Sequence, residues 1–165
     1  MCFGFKGKTN TAQAKEEGAA DRIARMQENS TKLERCISVI NENTYKIEAL
    51  YADYLMSVVS AETSALSEQI SEMMRNNYVL IRQTSTDLAQ LRPIMVLGII
   101  SSTEDRIQNN IYNMVLRKLQ AAVIEFQELQ QRYKQKEVEK VRREIQIKFP
   151  LVTEREITQI LNDAL

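Results

Sequence analysis

The chain has 165 residues, of which 44% are apolar and 27% charged, and its 22 basic residues balance 22 acidic ones. That composition describes one folded domain with a sizeable core, and it excludes both a disordered polyelectrolyte and a chain-wide basic footprint for nucleic acid. Histidine is absent, which removes the usual general base, the serine–histidine pair and the commonest zinc ligand together.

Only 4 glycines and 2 prolines occur, and none lies between Ala20 and Arg92. A sheet protein needs turn residues far more often, so the chain is built from long helices. Cys2 and Cys36 supply neither a disulfide framework nor metal-ligand spacing, and a reducing, cytosolic environment is the default. No signal peptide is visible. The longest apolar run, IMVLGII from Ile94 to Ile100, falls far short of the ~20 residues that span a bilayer.

Residues 1–20 are rich in Gly, Lys and small polar residues without helical period and read as a flexible lead-in. Within them GFKGKT (Gly4 to Thr9) echoes a phosphate-binding loop. Two residues separate its glycines where four are needed, and no strand precedes it, so nucleotide binding is set aside.

A heptad then begins. Ile23, Met26, Ser30, Leu33, Ile37, Ile40, Thr44, Ile47, Tyr51, Tyr54 and Val58 alternate at spacings of three and four, the seam of a first bundle helix. A second helix, about Glu62 to Leu91, carries Ile70, Met74, Asn77, Ile81, Thr84, Leu88 and Leu91. No Gly or Pro separates the two, and the break is placed at the SAETS cluster, Ser60 to Ser64. Without that break, one helix of roughly 70 residues would make a rod about 105 Å long.

Pro93 and Gly98 mark the next connection, and Ser101 with Glu104 reads as a capping box opening the third helix. Its seam is Ile111, Val115, Leu119, Ala122, Phe126, Leu129 and Tyr133. The following apolar residues, Val138, Val141 and Ile145, come after a gap of five where a heptad wants four. The stripe therefore turns away from the seam, and the helix runs on past the bundle.

Seven basic against three acidic residues lie between Arg132 and Lys148, net +4. The run reads first as a solvated helix face, with an acidic partner or a membrane surface as the alternative. Pro150 ends the helix. Thr153 with Glu156 forms another capping box, and Ile157, Ile160 and Leu161 give a short amphipathic helix whose apolar face looks unaccompanied, as in a piece of a longer protein.

The expectation is thus an all-α fold: an antiparallel up-down-up three-helix bundle over residues 21–136, with an extended third helix and a short C-terminal linker helix in 137–165. Beside the seams lie spare apolar residues seven apart, Leu66, Met73 and Leu80 on the second helix and Ile107, Met114 and Ala121 on the third. They either widen the core or face each other across a groove that seats a fourth helix. The IMVLGII connection either folds under the bundle end or stays exposed as a contact patch. Nothing calls for an enzyme, a metal or a cofactor: the carboxylates sit beside Lys and Arg on exposed positions, not on the seams.

From Arg106 onward the chain resembles the third helix and linker of a syntaxin, the Qa class of membrane-fusion SNARE proteins. The resemblance is carried by Arg106-Ile107, Arg117-Lys118-Leu119, Glu125-Phe126, the QQRY of Gln130 to Tyr133 and the REIQI of Arg143 to Ile147. Ile40-Asn41-Glu42-Asn43 in the first helix is close to the family's I-x-E-N. The likeness covers about Asp21 to Leu161.

The resemblance implies a three-helix regulatory domain, commonly called Habc, followed by a linker, a SNARE helix and a C-terminal membrane anchor that this chain does not contain. In that family the domain folds back on its own SNARE helix, using the groove between helices two and three. The closed form is barred from the four-helix complex with other SNARE proteins, and SM-class regulatory proteins clasp it. The implied setting is vesicle docking, exocytosis and membrane fusion at the cytoplasmic face of a membrane, reached only through the anchor. The linker's apolar-acidic latch pair falls on Ile157 and Thr158, so the acid is lost, and the candidate latch is Ile157, Thr158, Ile160 and Leu161. Residues 1–20 lack the short Arg-Thr type peptide by which many syntaxins engage the SM partner. The alternative is a structural or tethering helical protein, spectrin-like or a coiled-coil rod.

Overall fold

A computed structural model describes residues 18–57, 60–92 and 103–164. Most of the lead-in, Val58 of the first seam, the 94–100 connection and the Ser101 cap lie outside these residues. The described chain is all-α, without a strand: α1 (Ala19–Met56), α2 (Ser60–Gln90), α3 (Thr103–Lys148) and α4 (Glu154–Ala164).

The heptad seams are the core. Met26, Ser30, Leu33, Ile37, Ile40, Thr44 and Ile47 of α1 are buried, as are Ile70, Asn77, Thr84 and Leu88 of α2 and Val115, Leu119, Ala122, Phe126, Leu129 and Tyr133 of α3. They form two clusters. One gathers Leu33, Ile37 and Ile40 with Leu88, Val115, Leu119 and Ala122. The other joins Ile47 and Ile70 to Phe126, Leu129 and Tyr133. Tyr51 stacks on Tyr133 with centroids 3.9 Å apart.

Polar seam residues are satisfied locally. Thr44 and Thr84 donate to their own helices at Ile40 O and Leu80 O (2.9 and 2.8 Å). Fully buried Asn77 bridges α1 and α2, donating to Thr44 Oγ1 (3.3 Å) and Ile40 O (3.4 Å) and accepting from Asn43 Nδ2 (3.3 Å). A polar group at one seam position fixes register, since sliding the helices would strand it without partners.

α1 and α3 lie side by side in the same direction. Arg22–Glu104, Glu34–Lys118, Glu48–Arg132 and Tyr54–Glu137 are rungs between residues 82 to 84 apart in sequence. Such surface pairs contribute about 0–1 kcal/mol each, so they record the alignment more than they enforce it. α2 runs the other way along α1, with Asn77 against Asn43 and Met74 against Tyr51.

The reversal between α1 and α2 comes at Ser57, just ahead of the SAETS cluster, which opens α2 instead of breaking the helix. Lys140 of α3 caps this end of α1. Its Nζ donates to Tyr54 O (2.9 Å) and Ser57 O (3.4 Å) and sits 4.2 Å from the Tyr54 ring centroid. A cation over the open carbonyls of a helix C-terminus contributes about 0.3–1 kcal/mol and marks where the helix stops. The single rod is thereby excluded.

α3 continues to Lys148, and Phe149 and Pro150 turn the chain into α4. The Thr153 box forms in both directions: Thr153 N–H donates to Glu156 Oε2 (2.9 Å) and Glu156 N–H to Thr153 Oγ1 (3.5 Å). One expectation is corrected here. The apolar face of α4 is accompanied, because α4 folds back on α3 and contacts no other described helix. Ile157 and Leu161 are 1% and 6% exposed. Arg142 to Glu154 (2.6 Å) and Gln146 to Glu154 (2.8 Å) close the hairpin. The five-residue step from Tyr133 to Val138 turns the apolar stripe by about 140°, away from α1, and α4 covers that end of α3.

At the opposite end, Arg22 Nε and Nη2 grip both oxygens of Glu104 at 2.7 and 2.8 Å. These hydrogen bonds hold the carboxyl below its ordinary 4.5, against a smaller opposing effect of burial. A lowered carboxyl contributes stability that is full above the unfolded value and is lost as pH falls through the folded one. Glu104→Gln should therefore lower the urea midpoint at neutral pH, and its deficit against the parent should shrink progressively below about pH 4.5. An unchanging deficit down to pH 3 would assign the effect to packing.

Candidate functional site

α1 packs closely against both α2 and α3, whereas α2 and α3 touch each other sparsely. Between them runs a furrow. Toward the α2 C-terminus it opens into a depression of about 570 Å³ lined by Ser85, Leu88, Ala89, Tyr112, Leu116, Leu119, Gln120, Val123 and Ile124. Leu88 and Leu119 are its buried floor, Tyr112, Leu116 and Val123 its half-buried walls, and Ile124 its exposed lip.

A strut closes the furrow midway. Tyr78 lies edge-on to Phe126 with centroids 5.2 Å apart and donates its hydroxyl to Gln130 Oε1 at 2.9 Å. Past the strut the helices part again. A second cleft of about 1130 Å³ has Ser64, Ser67 and Ser71 of α2 on one side and Lys140, Arg143 and Lys148 of α3 on the other. The phenols of Tyr51 and Tyr54 near this end are pushed up, by burial first and then by the Glu137 charge.

An apolar floor with apolar walls and a thin polar rim suits the hydrophobic face of an amphipathic helix. It offers no nucleophile–base pair. Among the described residues no group of three His, Cys, Asp or Glu is placed to hold a metal.

The six residues singled out from sequence occupy other flanks. Leu66, Met73 and Leu80 are half-buried, Met73 and Leu80 packing against the two core clusters. Ile107, Met114 and Ala121 are exposed. Met114 shares its face with Lys118 one turn on, and Lys118 pairs with Glu34, so that strip lies toward α1. None of the six lines either cleft. The furrow is instead built from Tyr112, Leu116 and Val123, a stripe on the other side of the α3 seam. Its spacing of four then seven was visible in the sequence. Which flank meets α2 is set by the handedness of the bundle, which periodicity does not encode. Of the linker residues, Ile157 and Leu161 are spent on α3, whereas Thr158 and Ile160 are exposed, and the Thr158 hydroxyl returns to Glu154 O.

Compared with known proteins, the chain matches the family model Syntaxin_2, described as syntaxin-like protein, over residues 29–162. No curated protein and no solved structure matches it.

The hairpin of α3 and α4 is testable by itself. Ile157→Asp places a charge in a buried two-helix contact and should release α4, raising the rate of tryptic cleavage after Arg155 by on the order of tenfold. The urea midpoint of the bundle should barely move. Unchanged cleavage would mean that Ile157 does not hold α4 down.

Proposed function

Because the chain belongs to the syntaxin-like protein family, whose members are SNARE-related and non-enzymatic, we propose that it is the autoinhibitory domain of a SNARE protein and that the α2–α3 furrow seats that protein's own SNARE helix. The observation that carries this reading is the apolar depression over Leu88 and Leu119 between two helices that barely meet. An amphipathic helix laid along it would cover Leu116, Val123 and Ile124 and extend the bundle to four helices, the same arrangement as the fusion complex it must otherwise join.

Control is then by competition. The SNARE helix cannot occupy the furrow and the complex of SNARE proteins together, and each 1.4 kcal/mol of furrow binding shifts the open-to-closed ratio about tenfold. An SM-class regulatory protein acts by binding the closed form better than the open one. The latch in this reading is α4 held on α3 by Ile157, Leu161 and the Arg142–Glu154 pair, so the exposed Thr158 need not be acidic. The working place is the cytoplasmic face of the plasma membrane or an endomembrane, in vesicle docking and fusion.

A fluorescently labelled SNARE helix of the full-length protein, titrated with the 165-residue chain and followed by anisotropy, tests this. Saturable binding is expected. Ile124→Glu, on a lip residue that is 53% exposed, should weaken it by about tenfold or more through burial of an unpaired charge. Val79→Glu on the outer face of α2 should leave it unchanged. Absence of binding, or equal affinity for both variants, would remove the furrow from the account.

A further inference from the structure

Among the described residues the three most exposed hydrophobic side chains lie together with Phe149, whereas Val79 (64%) and Tyr45 (59%) stand singly along α2 and α1. Leu151 is 96% exposed, Met56 82% and Ile147 78%, with Phe149 at 59%. Met56 and Ile147 line the same cleft, and Phe149 and Leu151 follow Ile147 in the turn between α3 and α4. All four lie at one end of the bundle, where α1 reverses and the α3–α4 hairpin closes. Single exposed apolar residues are ordinary; a cluster at one tip is not.

The turn presents them firmly. Phe149 N–H donates to Ile145 O (2.8 Å), Val152 N–H donates to Phe149 O (3.1 Å), and Pro150 fixes the backbone between them. Charge surrounds the tip unevenly. Exposed Lys148, Arg143 and Arg155 lie around it with half-buried Lys140 behind. Of the acids nearby, Glu154 is taken by Arg142 and Gln146, Glu156 by the Thr153 cap and Glu62 by the Ser57 hydroxyl, leaving Glu144 and Glu68 on the cleft walls.

We propose that this end of the bundle is a membrane-contacting tip, in which Leu151, Phe149, Ile147 and Met56 enter the interfacial zone of an anionic bilayer and Lys148, Arg143 and Arg155 meet lipid phosphates. Shape and charge select this occupant. Four side chains, two on the turn and two at the cleft beside it, are far fewer than the roughly 20–30 residues a side that a stable protein interface brings together. A bilayer needs no complementary shape, only apolar groups to insert and basic groups to draw the surface in. The basic run that ends α3 thus gains a surface to face, and the proposal stands whether or not the furrow binds a helix.

The chain has no tryptophan, so Phe149→Trp supplies a single reporter. Sedimentation of the 165-residue chain with phosphatidylcholine vesicles holding about 30 mol % phosphatidylserine should carry protein down, and pure phosphatidylcholine should carry much less. The Phe149→Trp emission should shift to the blue on the anionic vesicles. The pair Phe149→Glu and Leu151→Glu, checked for intact helicity by circular dichroism, should lower partition by on the order of tenfold or more, and Val79→Glu should not. No partition to anionic vesicles, an unshifted emission, or parent-like partition of the double variant would overturn the proposal. So would a dimer, detected by analytical ultracentrifugation without vesicle binding, that the double variant dissociates: the tip would then be a contact between copies of the chain.

Discussion

The apolar stripe of α1 is the constraint on which everything else rests. Leu33, Ile37, Ile40 and Ile47 are each at most 5% exposed, and they complete the cores that α2 and α3 each need. Both neighbours spend their seams on α1 and have little left for one another. The α2–α3 furrow follows directly: it is the line along which two helices share a third without filling the space between themselves. Tyr78 over Phe126 crosses it midway, dividing an apolar depression from a mixed cleft that carries Lys140, Arg143 and Lys148. The hydrophobic effect that folds the bundle therefore also leaves a surface suited to one more helix.

The far end obeys a different logic. Lys140 covers the last carbonyls of α1, α2 turns back, and α3 continues with its apolar stripe rotated. A lone extension with Val138, Val141 and Ile145 half-open to water is unfavourable, and α4 answers it by returning along α3. Burying Ile157 and Leu161 gives about 1.5–3 kcal/mol each as an upper estimate, enough to dock a short helix but less than holds the bundle. The bundle and the α3–α4 hairpin thus belong to different tiers of stability.

Much of this was legible in the sequence. The seams of all three long helices were read residue by residue, because a heptad writes the buried face into the chain. The Thr153–Glu156 box was read too, since a capping box is local. What was not legible depended on partners distant in sequence. The end of α1 at Ser57 is capped by Lys140, more than eighty residues on. The face of α4 found its partner on α3 only once the hairpin had closed. The α3 seam has two flanks, Tyr112, Leu116 and Val123 on one and Ile107, Met114 and Ala121 on the other, and only the hand of the bundle decides which one faces α2.

Native-state amide hydrogen exchange tests the central role of α1 most directly. If α1 serves both neighbours, its seam amides between Leu33 and Ile47 should exchange only through global unfolding, more slowly than α2 and α3 on either side of the furrow. A chain in which α2 or α3 outlasts α1, or in which all three exchange alike, would have a core closed among three equal helices and no furrow to offer.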